Sequence, residues 1–258
     1  LIQGVFAWLV FPFLGSLLGV SEGGSLFELW GAGGAGMSIL YGILWGVGGL
    51  TFGLSMRYLG VALGQSISLG TCAGFGTLLP ALFAGTNLFE GNGLLVALLA
   101  GVMSACFALG LDAGTPIKEA ALAGGVEGLY AGLPVIFLVT FGGFLTNAIY
   151  CLQQNVTNKS MNDYAKGKVW SNNLVFCALA GVLWYMQFFG LEMGKSFLAE
   201  SPVLLAFSWC ILMALNVTFS NVWGIILKEW KGVSVKTITV LVCGLLVLIF
   251  SLVFPNLF

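Results

Sequence analysis

The chain has 258 residues, of which 59% are hydrophobic and only 7% are charged, whereas soluble domains carry roughly 25% charged residues. The chain has nine Lys and Arg residues and ten Asp and Glu residues, so its formal net charge is −1. It therefore has no excess of positive charge with which to bind a polyanion such as nucleic acid. The composition therefore excludes a soluble enzyme, a nucleic-acid-binding protein and a disordered chain, and it predicts a protein whose solvent is the lipid bilayer.

The apolar runs are continuous and about 20 residues long, the length that a helix needs to cross the hydrocarbon layer. Strands of an outer-membrane barrel would instead alternate apolar and polar residues. We therefore predict an all-α, polytopic transmembrane helix bundle with about eight helices. The predicted spans, labelled A to H, are 1–20, 34–55, 61–84, 92–111, 128–152, 173–194, 202–226 and 233–254.

A short motif occurs twice, as GILW at 42–45 in span B and as GVLW at 181–184 in span F. Each copy falls about halfway along its span, and each is followed by a short connection and another long span. This order indicates two halves of like construction, the inverted-repeat plan of many secondary transporters. We divide them as 1–91 and 92–258. Aligning spans B and C with F and G leaves the first half without its first and its last helix.

The distribution of positive charge supports a helix missing between spans C and D. Lys and Arg collect in cytoplasmic loops. If one span is inserted after C, the loops B/C, E/F and G/H lie on the same side and together hold seven of the nine positive charges. Arg57 then lies on the same side as Lys166 and Lys231.

Four stretches carry a family resemblance: LWGVGGLTFGLSMRYLG at 44–60, GLYAGLP at 128–134, LWYMQFF at 183–189 and LKEW at 227–230. They resemble the bacterial L-rhamnose–proton symporters, which belong to the drug/metabolite transporter superfamily. The resemblance implies ten helices in two inverted five-helix halves, of which the first and the fifth are absent here. It also implies import of a neutral monosaccharide, L-rhamnose or a similar deoxysugar, together with a proton.

A sugar site needs neutral amides and hydroxyls to pair with the sugar hydroxyls and an aromatic face for its C–H groups. The tightest such combination is Trp184, Tyr185 and Gln187 in span F. Other polar residues inside spans are candidates because unpaired polar groups are costly in lipid. The full set of substrate-binding candidates is Gln65, Ser68, Asn147, Trp184, Tyr185, Gln187 and Asn216. The competing interpretation is a bond to the residue's own helix for Ser68, and a bond between helices for Asn147, Gln187 and Asn216.

Proton coupling requires an acid that gains and loses a proton as the site changes access, and the chain has no His. The candidates are Asp112, Glu119 and Glu192. We rank Asp112 first because span D ends there, next to glycines and a proline where the backbone can open toward a cavity. Glu192 ranks second, since an i,i+3 ion pair with Lys195 offers a simpler explanation for it.

The sequence predicts a transporter of the bacterial inner membrane that uses no cofactor and no metal. It shows no cluster of metal ligands and no pair of nucleophile and base, so we expect no enzyme. The expected partners are a small neutral sugar, a proton and the bilayer, and the oligomeric state stays open. Two alternatives remain: a transporter of another solute, such as a different deoxysugar, an amino acid or a nucleotide-sugar, and a membrane fragment without transport activity.

Overall fold

The structure is a computed structural model that describes residues 1–60, 64, 66–71, 92–165, 167–198 and 202–253. Within these ranges the regular elements are helices and no strand occurs, which confirms the all-α prediction. The helices are α1 (Ile2–Leu17), α2 (Leu26–Gly31), α3 (Ala35–Leu59), α4 (66–71), α5 (Asn92–Ala113), α6 (Thr115–Ala123), α7 (Leu133–Thr157), α8 (Gly167–Phe197), α9 (Pro202–Ile226) and α10 (Val235–Val253).

Seven predicted spans have a helical counterpart, because A, B, D, E, F, G and H correspond to α1, α3, α5, α7, α8, α9 and α10. Span C is described only at 64 and 66–71, where it is helical, and its remaining residues lie outside the described ranges. Three described stretches are long and apolar enough to cross a membrane: Ala35–Leu59, Leu133–Thr157 and Ser171–Phe197. Shorter apolar helices are Ile2–Leu17, Ile211–Ile226 and Val235–Phe250.

The boundaries of two spans differ from the prediction. Helix α7 begins at Leu133 rather than at 128, and Pro134 occupies its first turn, where proline needs no hydrogen-bond partner for its nitrogen. Helix α8 begins at Gly167 and runs for 31 residues, so it starts several residues before the apolar part of the sequence. Backbone hydrogen bonds continue into polar residues, which a hydropathy pattern does not detect.

Two short α-helices, α2 and α6, and a 3-10 helix at Met161–Ala165 were not predicted. Helix α2 starts with a capping box, in which the Ser25 hydroxyl accepts a hydrogen bond from the backbone N–H of Glu28 and the Glu28 carboxylate accepts one from the N–H of Ser25. Helix α6 lies between Gly114 and Gly124 and carries a proline in its first turn. Its buried residues Ile117 and Ala121 attach it to the core.

Helix α1 contains a π-helical turn at Phe6–Val10. Pro12 follows this turn, and because proline has no N–H it cannot donate to the carbonyl of Trp8 four residues earlier. The backbone N–H of Phe11 donates to Phe6, which gives the wider π spacing. The turn holds Trp8 and interrupts the regular helix beside it.

The chain forms two compact units. The first consists of Leu1–Val47 and Cys106–Phe197, and the second of Gly48–Ala105 and Leu198–Phe258. Each unit therefore takes segments from both predicted halves of the sequence.

In the first unit the two copies of the repeated motif pack in the same way. Gly42 of α3 lies against the carbonyl of Val139 in α7, and Gly181 of α8 lies against Phe6 and Ala7 in α1. In both places the absence of a side chain lets two helices approach closely, as small residues do in membrane bundles.

The match continues one turn further along each helix. Gly46 lies against Thr146, and its counterpart Tyr185 lies against Gly15. Contacts of α3 with α7 thus recur between α8 and α1, with the same four-residue spacing on α3 and α8.

Candidate functional site

Three tryptophans meet in the first unit. Ring centroids are 5.2 Å apart for Trp8 and Trp45, 5.7 Å for Trp8 and Trp184, and 5.8 Å for Trp45 and Trp184. Phe107 and Phe188 extend the cluster, with Phe107 5.0 Å from Trp45 and Phe188 4.8 Å from Trp184. Helices α1, α3, α5 and α8 therefore each contribute a ring, and the rings hold one another in place.

A cavity of about 200 Å³ lies beside the tryptophans, between α1, α7 and α8. Its aromatic lining includes Trp8 and Trp184, and its polar groups come from Gln3, Asn147 and Cys151. A mostly apolar wall with a few polar groups is typical of sites for small molecules.

Asn147 lines this cavity, and its amide nitrogen is bound to protein groups. Its Nδ2 donates to the carbonyl of Gly46 in α3 at 3.1 Å and to the carbonyl of Gly143 in its own helix at 3.0 Å. An amide nitrogen has two donors, so both are used. The remaining group is Oδ1, which can accept a hydrogen bond from a ligand hydroxyl. The bond between helices that the sequence offered as the competing interpretation is thus present, and it fixes the side chain in place.

Of the substrate-binding candidates, the cavity brings together Asn147 and Trp184. Tyr185 is buried beside Gly15 of α1 and does not line the cavity, and its hydroxyl has no hydrogen-bond partner among the residues that the structure describes. Gln187 is half-buried and also lies outside the cavity lining.

The other candidates belong to the second unit or lie outside the described ranges. Asn216 donates to the carbonyl of Leu212 in its own helix at 3.0 Å. Ser68 is buried and lies 3.1 Å from the hydroxyl of Ser55. Gln65 lies outside the described residues.

Sequence reasoning missed several residues of the cavity and the aromatic cluster, among them Gln3, Trp8 and Trp45. The repeated motif pointed to Trp45 as strongly as to Trp184, since both end a copy. Pro12 was the available signal for Trp8, because a proline inside a helical pattern distorts the preceding turn. No local pattern marks Gln3, which reaches the cavity only through helix packing.

The three acidic candidates have different environments. Asp112 and Glu119 are exposed, and Glu192 is 2% exposed. Among the carboxylates that the structure describes, Glu192 is the buried one. It lies five residues before the end of α8, about 8 Å along the helix axis from its last residue.

Two lysines hold the buried carboxylate. Lys195 Nζ lies 2.8 Å from Glu192 Oε1, which confirms the i,i+3 ion pair that the sequence offered as the simpler explanation. Lys118 Nζ of α6 lies 3.0 Å from Glu192 Oε2. Lys118 therefore joins α6 to α8 through an ion pair with Glu192. Gly132 leaves room for the carboxylate, since any side chain there would collide with Glu192.

The sequence profile described as "L-rhamnose-proton symport protein" matches residues 1–90 and 86–256, which together make up nearly the whole chain. The chain belongs to this family. It is accordingly a membrane transport protein and not an enzyme.

Curated members of this symport family show the same relationship. The proteins named L-rhamnose-proton symporter from Yersinia pestis (strain Pestoides F) and from Yersinia pseudotuberculosis (serotype O:1b, strain IP 31758) are each 28% identical to the chain. The alignments cover 97% of this chain and 86% of each relative. No solved structure gives a significant match.

The alignments also show that the symporters contain residues without a counterpart here. They extend over 297 positions, more than the 258 residues of this chain. The family profile matches in two pieces that meet at 86–90, in the connection between spans C and D.

Proposed function

We propose that this protein imports L-rhamnose together with a proton across the bacterial inner membrane, as a multi-pass transporter that works by alternating access. The observation that carries the proposal is the match to the L-rhamnose-proton symport family over nearly the whole chain. The apolar helices supply the membrane-spanning part that such a function requires.

The cavity in the first unit is the proposed site of sugar contact. The rings of Trp8 and Trp184 offer faces for the C–H groups of a pyranose, and Oδ1 of Asn147 accepts from one of its hydroxyls. Gln3 adds an amide that can both donate and accept. None of the described residues that line the cavity has a charged side chain, which agrees with a neutral substrate.

The contacts of the remaining predicted substrate residues support a role in sugar binding to different degrees. Tyr185 has a buried hydroxyl that bonds to no group in the described part of the chain, so a ligand hydroxyl or a change of conformation would satisfy it. Gln187 lies about one turn beyond Trp184 on the same helix. Ser68 and Asn216 are engaged with protein groups, so they support helix packing at least as well as sugar binding. Gln65 stays a proposal from sequence.

We also propose that the chain follows the plan of two like halves, with one helix absent between spans C and D. The equivalent packing of Gly42 and Gly181 supports the repeat. The 297 aligned positions and the junction at 86–90 support the gap.

For proton coupling, burial favours Glu192 over Asp112 and Glu119. A coupling acid must exchange its proton with one side of the membrane at a time, and an exposed carboxylate equilibrates freely with its surroundings. Glu192 is shielded and its two oxygens are held by lysines. We therefore place Glu192 ahead of Asp112 as the proposed coupling acid, which reverses the order that the sequence suggested.

The test is uptake of radiolabelled L-rhamnose into proteoliposomes that contain the purified protein, with and without an imposed proton gradient. We expect accumulation against the sugar gradient when the outside is acidic, and equilibration alone without the proton gradient. A panel of competitors, including another deoxysugar, an amino acid and a nucleotide-sugar, distinguishes rhamnose transport from the alternatives. Accumulation that ignores the proton gradient, or uptake of a competitor in place of L-rhamnose, would reject the proposal.

A further inference from the structure

The buried carboxylate of Glu192 contacts two cations, and the two contacts differ in kind. Lys195 is on the same helix, one turn away, so it moves with Glu192 whenever α8 moves. Lys118 is on α6, so its contact depends on how α6 and α8 are arranged. The Lys118 side chain is also the more exposed, at 33% against 20% for Lys195.

A carboxylate between two ammonium groups favours its ionised form, because each neighbouring positive charge stabilises the negative one. Among the described residues the charged groups in contact with Glu192 are Lys118 and Lys195. Gly132, just before α7, borders the carboxylate without a charge. For Glu192 to take up a proton, at least one ammonium group must withdraw. Only the withdrawal of Lys118 is tied to a change in helix arrangement.

Helix α6 itself is anchored. Ile117 is fully buried within a core cluster with Val135, Phe137 and Leu138 of α7, and Ala121 is also buried. A shift of α8 against α6 and α7 therefore breaks the contact between Lys118 and Glu192.

We propose that Lys118 is a positioning residue for proton coupling: its contact with Glu192 senses the arrangement of α8 against α6 and decides whether the carboxylate can hold a proton. In the arrangement described here Lys118 contacts Glu192 and, together with Lys195, stabilises its negative charge. When α8 shifts and Lys118 leaves, Glu192 takes up a proton from solution. The proposal rests on the proposed function and on Glu192 as its coupling acid.

The experiment compares Lys118→Met with Lys195→Met as its matched control, because both lysines contact the same carboxylate. The dissociation constant of L-rhamnose is measured by calorimetry on the full chain in detergent at intervals from pH 5 to 8. In a symporter, proton and sugar binding are linked, so the wild-type constant changes with pH, by up to about tenfold per unit when one proton is linked to binding. We expect Lys195→Met to keep this dependence, with its midpoint displaced toward higher pH because one stabilising positive charge is lost. We expect the dissociation constant of Lys118→Met to vary less than about threefold between pH 5 and 8. Lys118→Arg, which keeps the charge, should restore the wild-type dependence of the dissociation constant on pH.

The outcomes separate this inference from the proposed function. Glu192→Gln must lose the pH dependence if Glu192 is the coupling acid. If it does so while Lys118→Met keeps the wild-type slope, the role of Lys118 is rejected and the proposed function stands. Equal loss of the slope in Lys118→Met and Lys195→Met would also reject the role, because it would show a general charge effect. If the wild-type protein binds no L-rhamnose at any pH, the proposed function falls and this inference falls with it.

Discussion

Trp45 and Trp184, the last residues of the two copies of the repeated motif, face each other with ring centroids 5.8 Å apart and an angle of 33° between their planes. The glycines that begin the two copies lie at equivalent close contacts between helices, because Gly42 packs against α7 and Gly181 packs against α1. The sequence repeat is thus also a repeat of contacts, and the pair of tryptophans lies where the two copies meet.

The close contact of α3 with α7 at Gly42 predicts that substitutions of two glycines in α3 will differ in their effect on stability. Gly42→Ala should destabilise the protein by roughly 1–3 kcal/mol, because its methyl group would collide with the backbone of Val139. Gly36→Ala, on the same helix, meets no atom within 4 Å and should be neutral or stabilising by up to about 1 kcal/mol, since alanine favours the helix. Thermal unfolding in detergent measures both. Equal stability of the two variants would contradict the close packing of α3 against α7 at Gly42.

The position of Cys151 in the cavity predicts protection by substrate. In a variant that keeps this cysteine alone, L-rhamnose should slow the reaction of Cys151 with a small maleimide several-fold, because bound sugar would cover the thiol. Variants that keep only Cys177 or only the exposed Cys243 serve as controls, since neither lines the cavity. Reaction rates of Cys151 that do not respond to saturating sugar would remove the cavity from consideration as the binding site.

Substitution of two side chains of α8, Trp184 and Gln187, tests their contribution to the affinity for L-rhamnose. Trp184→Ala should weaken L-rhamnose binding by about 1–3 kcal/mol through loss of the ring face in the cavity. Gln187→Ala should cost about the same if a buried polar partner of the sugar is lost. Trp223→Ala, in the second unit and 57% exposed, is the control and should bind normally. Calorimetry on the three variants gives the answer, and wild-type affinity in Gln187→Ala would assign Gln187 to helix packing.

Neutralising the acidic candidates should separate coupling from sugar movement. Glu192→Gln should lose proton-driven accumulation in proteoliposomes and keep counterflow exchange, because exchange needs no net movement of protons. Asp112→Asn and Glu119→Gln should retain both activities, since these side chains are exposed. Loss of accumulation in Asp112→Asn alone would restore the order that the sequence suggested.

The predicted topology is tested by labelling loops from one side of the membrane. With a helix absent between spans C and D, positions 57 and 231 lie on the same side, and cysteines placed there should react with an impermeant reagent in inside-out vesicles only. A cysteine at position 119, in the loop between spans D and E, should react in right-side-out vesicles. Labelling of positions 57 and 231 from opposite sides would contradict the missing helix.

The sequence alone determined the fold class, most of the spans and the family. The reason is physical: the bilayer demands long apolar helices whose backbone bonds are internal, so composition and run length decide the architecture. Stretches such as 183–189 carried the family resemblance because they are local, and a local pattern survives without knowledge of packing. The helix starts at Leu133 and Gly167 were harder to place, since backbone bonding does not follow hydropathy.

Only the tertiary structure decided which side chains come together. Trp8 joins Trp184 because the turn before Pro12 is π-helical and because Gly181 lets α1 and α8 approach. Lys118 reaches Glu192 because α6 folds back after Gly114 as a short helix that the sequence did not reveal. Such contacts join residues far apart in the chain, and they depend on distances between helices that no periodicity in the sequence encodes.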